Sequence, residues 1–91
     1  MPIRILVCFD ALPGKGSELV KARATRQEEV RNDPGCEQFD LFQNTENPDQ
    51  VLLVERWTDE ASLAAHYALN RPQVAPELRA RTAWSERYTI E

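Results

Sequence analysis

Apolar residues fill the first strand-length segment on both parities, with Ile3, Ile5, Val7 and Phe9 on one side and Leu6 and Cys8 on the other. Successive side chains of an extended chain point to opposite faces, so this segment predicts a β-strand covered on both. Asp10 and the turn around Pro13 and Gly14 close it. Residues 15 to 31 turn charged and helix-favouring, with Leu19, Ala22 and Val30 at helical spacing and Ser17 near the start. The apolar stripe is thin. Arg26 stands where a further apolar residue belongs, which predicts a helix at the edge of the core or an Arg26 stem laid along it. Asn32, Asp33, Pro34 and Gly35 then stop the helix.

Two more strands follow over 36–43 and 50–57, joined by a polar turn from Asn44 to Asp49, and Val51 to Val54 is again apolar on both parities. A second helix over about 59–69 begins with acidic residues that suit its dipole, and spaces Leu63 and Tyr67 four apart. Arg71 and Pro72 break it; Gln73 to Arg81 has room for a helical turn or two before a last strand over about 82–90, with Trp84, Tyr88 and Ile90 on one side. The order strand, helix, strand, strand, helix, strand predicts one α+β domain over 1–91, a ferredoxin-like βαββαβ sandwich with a four-stranded antiparallel sheet. Two helices cover one sheet face only. The apolar second face, together with a length of 91 residues, predicts a homodimer packed sheet to sheet.

Charge narrows the partners. A net charge of -4, from 15 acidic and 11 basic residues, offers no basic surface for phosphates and argues against nucleic acid. Arg23, Arg26 and Arg31 are interleaved with Glu28 and Glu29 and read as a solvated helix face. Cys8 and Cys36 lie in different elements without metal spacing and read as structural thiols in a reduced, cytoplasmic setting. The run from Ile5 to Phe9 is too short for a signal sequence, and no segment is long enough to span a bilayer. Gly14 and Gly16 lack the spacing of a phosphate loop, two cysteines and a distant histidine make a poor zinc site, and no nucleophile elbow is present.

What remains is a candidate small-molecule cavity between sheet and helices. Glu55 and Trp57 share a face of the third strand, and Thr58 and Asp59 suit the start of the helix that carries His66, the only histidine. The expected walls are Phe9, Phe39, Trp57, Tyr67 and Trp84, with Glu55 and His66 as the titratable groups. Aromatics in so small a domain also serve simply as core. His66 can take a proton from a phenol or quinol and return it; its structural alternative is a capping role or a bridge to Glu55. Glu55 either orients the imidazole or pairs with an arginine such as Arg87.

The chain resembles the antibiotic biosynthesis monooxygenase family through its first strand, Leu12-Pro13-Gly14-Lys15-Gly16, Asp33-Pro34-Gly35-Cys36, Asp40-Leu41-Phe42, and Glu55-Arg56-Trp57-Thr58-Asp59-Glu60 with Ala65-His66. The resemblance implies a ferredoxin-like dimer that oxidises a small aromatic or quinol with dioxygen and no metal, flavin, haem or other cofactor. His66 would then be the base, Glu55 its orienter, and Phe9, Phe39, Trp57, Tyr67 and Trp84 the pocket. In haem-degrading members a tryptophan stands near the position of His66 and a histidine lies further along; this chain has neither, and Asn70-Arg71 replace a histidine frequent after the second helix. Two other functions share the same pocket: a non-catalytic dimeric ligand-binding domain, and an isomerase in which His66 and Glu55 shuttle a proton.

Overall fold

The computed structural model describes residues 1–91. Its elements are β1 (Ile3–Ala11), α1 (Gly16–Arg31), β2 (Cys36–Gln43), β3 (Gln50–Trp57), α2 (Glu60–Ala68) and β4 (Arg79–Thr89), with a single 3-10 turn at Pro76–Leu78. The sheet order is β2-β3-β1-β4 and every pairing is antiparallel, which is the ferredoxin-like arrangement. No helix is long and apolar enough to cross a membrane.

Register decides which residues meet the helices. One row across the sheet places Phe39, Glu55 and Ile5 side by side, and the next places Cys36, Trp57 and Ile3. These belong to the helix-facing side, where Ile3, Ile5, Phe9, Phe39, Val51, Leu53 and Trp57 are buried against Leu19 and Val30 of α1 and Leu63 of α2. The adjacent rows point the other way. They align Phe42, Leu52, Cys8 and Trp84, and then Asp40, Val54, Leu6 and Glu86. Phe42, Trp84 and Tyr88 are exposed there, so the second sheet face has no cover within the chain.

Three local devices differ from expectation. Ser17 does not cap α1; Asp49, from the far end of the β2–β3 turn, accepts from the backbone N–H of Gly14 and of Gly16, both at 2.9 Å. A side chain at Gly16 would overlap the Pro48 carbonyl, so the same turn packs directly on the helix start. Asp59 does cap α2, accepting from the Ser62 N–H at 2.8 Å. Between Leu69 and Pro76 the chain makes an irregular loop with Asn70 and Ala75 at positive φ, and the last strand begins at Arg79, three residues before the expected start. Of Arg23, Arg26 and Arg31, Arg31 is exposed as expected, but Arg23 and Arg26 are not part of a solvated face. The stripe of α1 is so thin that arginine stems complete it: Arg23 and Arg26 are half-buried, and Arg31 reaches the Phe39 carbonyl at 3.2 Å and the Asp40 carboxylate.

Candidate functional site

The site begins at the tight link between α1 and β2. Gly35 has φ +83, a left-handed conformation that side chains rarely adopt, and a Cβ there would overlap Ser62. Its glycine therefore lets the link lie against α2, and the Thr58 N–H reaches the Gly35 carbonyl at 2.9 Å. Asp33, two residues earlier, is thereby delivered to α2. Its carboxylate accepts from His66 Nδ1 at 2.9 Å and takes both ends of the Arg71 guanidinium, at 2.6 and 2.7 Å. Arg71 also pairs with Glu29 at 3.0 Å. All three side chains of the Asp33–His66–Arg71 cluster are largely shielded, at 10, 15 and 19 % exposure.

This cluster fixes the histidine tautomer. The Arg71 hydrogen bonds, more than that of His66, hold the Asp33 carboxyl down at about 2, so near neutral pH it only accepts. Nδ1 therefore carries the proton, and in the neutral ring Nε2 keeps a lone pair. The 3.4 Å approach of Arg71 Nη1 to Nδ1 then joins two donors and is no bond. Trp57 backs the imidazole with ring centres 4.6 Å apart, and Phe39 meets it edge-on at 6.3 Å. The ring is thus clamped by packing on its faces and by a carboxylate on one nitrogen.

Beside it lies a hollow of about 310 Å³. Its floor is Phe39, Leu53 and Glu55 from the sheet; α1 contributes Arg23, Arg26 and Val30, α2 contributes His66 and Tyr67, and residues 70–74 close the remaining side. Arg26 ties that last segment down through a 2.8 Å hydrogen bond to the Pro72 carbonyl. Glu55 is buried and accepts from Trp57 Nε1 at 3.0 Å; burial pushes its pKa up, only partly offset by that hydrogen bond. Tyr67 stands at the rim, 57 % exposed.

Of the seven residues singled out in the sequence, four share this hollow: His66, Glu55, Phe39 and Tyr67. Trp57 and Phe9 are sealed beneath it, at 0 and 1 % exposure, and support its walls from behind. Trp84 is elsewhere. It sits on the opposite sheet face in register with Cys8, against a smaller hollow with Phe42 and Leu52, because β4 turns that parity away from the helices. Glu55 does not bridge to His66 or to Arg87: Asp33 takes the imidazole, and Arg87 pairs with Glu60. Asp33 and Arg71 were legible only as a helix stop and a helix break, and nothing in their spacing marks them as partners. Both thiols are free, and burial raises their pKa values, that of Cys36 to about 11. No three His, Cys, Asp or Glu side chains converge as metal ligands.

Comparison with known proteins agrees with this architecture. A protein of Shewanella oneidensis, SO0527, is 28% identical and superposes with a TM-score of 0.80, covering 96% of this chain and 88% of its own. Rv0793 from Mycobacterium tuberculosis is 23% identical, with a TM-score of 0.77 over 100% of this chain and 96% of its own. A solved structure named as an antibiotic biosynthesis monooxygenase is 20% identical, with a TM-score of 0.73 and coverage of 98% and 96%. Among curated proteins no significant match was found. The sequence profile of the antibiotic biosynthesis monooxygenases matches residues 2–77, from the first strand through the His66 helix and the closing loop, and so this chain belongs to the antibiotic biosynthesis monooxygenase family.

Proposed function

We propose that this chain is a cofactor-independent monooxygenase that oxidises a small aromatic or quinol substrate with dioxygen, using His66 as the base. The observation that supports this most directly is the Asp33–His66 pair on the wall of the hollow, with Nδ1 committed and Nε2 left to accept a proton. The hollow is at the small end of ligand sites, which suits one or two rings. His66 removes a phenolic proton, and the electron-rich anion gives one electron to dioxygen. The resulting radicals join as a carbon-bound peroxide. Cleavage of its O–O bond leaves one oxygen on the ring and releases the other as water, so a quinol and one dioxygen become a hydroxyquinone and one water. The substrate supplies every electron.

Glu55 has a different part from the orienter expected of it. It faces the same hollow with a raised proton affinity, so it suits holding or returning a proton rather than steering the imidazole. That observation also favours the second reading, an isomerase in which His66 and Glu55 move a proton between two substrate carbons. Oxygen uptake with a panel of one- and two-ring quinols, together with incorporation of labelled dioxygen into the product, separates the two. Uptake with label in the ring is expected; solvent-proton exchange at a substrate carbon without oxygen uptake would favour the isomerase and end the oxygenase proposal.

The uncovered sheet face supports a further part of the proposal, a homodimer packed through it. Phe42, Leu52, Cys8 and Trp84 form an apolar row across all four strands, and its two ends, Phe42 and Trp84, stand exposed. Size-exclusion chromatography with light scattering is expected to give twice the chain mass at micromolar concentration, and Trp84→Glu to shift it toward one. A wild-type monomer under those conditions would rule the dimer out.

A further inference from the structure

We propose that the hollow takes an aromatic ligand bearing an acidic group, with Arg23 as the side chain that holds the acid. The inference names the substrate class for the site described above, and it rests on that reading only for the oxidation, since the charge preference is a property of the cavity itself.

Three arginines line the hollow, and two of them already donate hydrogen bonds within the chain. Arg71 is saturated by Asp33 and Glu29. Arg26 donates through Nη1 to the Pro72 carbonyl, while its buried Nε, 3.5 Å from Glu29, makes no hydrogen bond. Arg23 is different: it forms no ion pair and donates no hydrogen bond within the chain. Its guanidinium instead lies over the Phe9 ring, 4.8 Å from the centroid. Arg79, equally without a carboxylate partner, lies 5.1 Å from the same centroid. Both cations approach the Phe9 ring, and of the two Arg23 is the one that lines the hollow.

The arrangement is costly without an anion. Arg23 is half-buried, and burial together with the nearby charges of Arg79 and Arg26 lowers its pKa. Glu55 is the one acid on the cavity floor that attracts it, and it makes no ion pair with Arg23, spending its hydrogen bond on Trp57. A guanidinium with unused N–H groups beside a hollow matches a carboxylate, which can accept two parallel hydrogen bonds. The flat stem of a ring would then lie over Phe39 and Leu53 toward the His66 side. Arg23 on α1 and His66 on α2 thus grip the ligand by different groups, one fixing the acid and the other taking the phenolic proton.

Equilibrium binding tests this without any turnover, using 2-naphthoate and its neutral counterpart 2-naphthamide as probes in titrations followed by tryptophan fluorescence. At low ionic strength 2-naphthoate is expected to bind the wild-type protein roughly tenfold or more tightly than the amide, in line with a charge-assisted pair. Added salt should narrow the gap. Arg23→Gln should bring the two affinities within about twofold, Arg23→Lys should keep part of the difference, and Lys21→Gln, exposed on the same helix, should keep all of it. Equal affinity of the wild-type protein for both probes would overturn the proposal, as would an undiminished preference in Arg23→Gln. A protein that prefers the naphthoate yet consumes no oxygen with quinols would lose the oxygenase function and keep the anion site; the reverse pattern would do the opposite.

Discussion

Alanine in place of His66 is expected to lower quinol turnover by about 10²-fold or more, with little change in KM. The magnitude follows from the role. A positioned base acts in the transition state, whereas binding rests on Phe39, Leu53 and the arginines, which the substitution leaves in place. The fold should survive, because residue 66 lies in the last turn of α2, alanine favours helix, and Asp33 keeps both hydrogen bonds to Arg71. What is lost in packing are the imidazole's contacts with Trp57, Phe39 and Tyr67. Steady-state kinetics by oxygen electrode would read the effect. Free imidazole should restore part of the rate, since the truncated side chain leaves room beside the hollow for an external base. Turnover equal to wild type, in a protein shown by circular dichroism to be folded, would remove His66 from the chemistry.

How this site could be foreseen depends on which physical rule fixed each residue. Glu55 and Trp57 share a strand face by simple alternation, and their helix-facing placement follows from the pairing of β3 with β1. His66 is carried by a helix whose start Asp59 announces locally. Those features are local, and the sequence shows them. Asp33 is the opposite case. Asn32-Asp33-Pro34-Gly35 is fully explained as a helix stop, so turn chemistry accounts for every residue in it and leaves no surplus to suggest a partner on α2. The signal missed lies in Arg71: an arginine directly before a proline at a helix end needs a counter-charge if it is not to be solvated, and Asp33 and Glu29 provide it.

Trp84 was misplaced for another reason. A strand's own alternation says which residues share a side but not which side faces the helices, and that phase comes only from pairing. The β1–β4 ladder runs unbroken from Ile3 opposite Thr89 to Cys8 opposite Trp84, so it is the pairing partner, invisible in β4 alone, that sets the side of Trp84. Arg23 and Arg26 were hidden by composition. Arginines alternating with glutamates look like a solvated surface, yet a helix with as few buried residues as Gly16, Leu19 and Val30 must borrow arginine stems to cover the sheet. The thin stripe was itself the clue, and at Arg26 it was visible.

Trp57→Ala is expected to cost about 3–5 kcal/mol of stability, the largest loss of any single truncation in this chain. Trp57 is the largest fully buried side chain, at 0 % exposure, and it joins three parts of the structure at once. It ends β3, supports the imidazole of α2, and supplies the one hydrogen bond of the Glu55 carboxyl. Truncation would therefore open a cavity and also leave a buried acid without its donor. For a domain of this length the melting temperature should fall by about 15 °C or more. Trp57→Phe separates the two contributions, since it keeps a ring against His66 and removes only the indole N–H together with some volume; a loss of about 1–2 kcal/mol is expected. Adding Glu55→Gln to each background closes a double-mutant cycle whose coupling energy measures the Trp57–Glu55 interaction. A Trp57→Ala protein melting within a few degrees of wild type would mean that Leu63 and the Asp33–His66 contact with the α1–β2 link suffice to hold α2 on the sheet, and that the imidazole does not depend on the indole beneath it for its place.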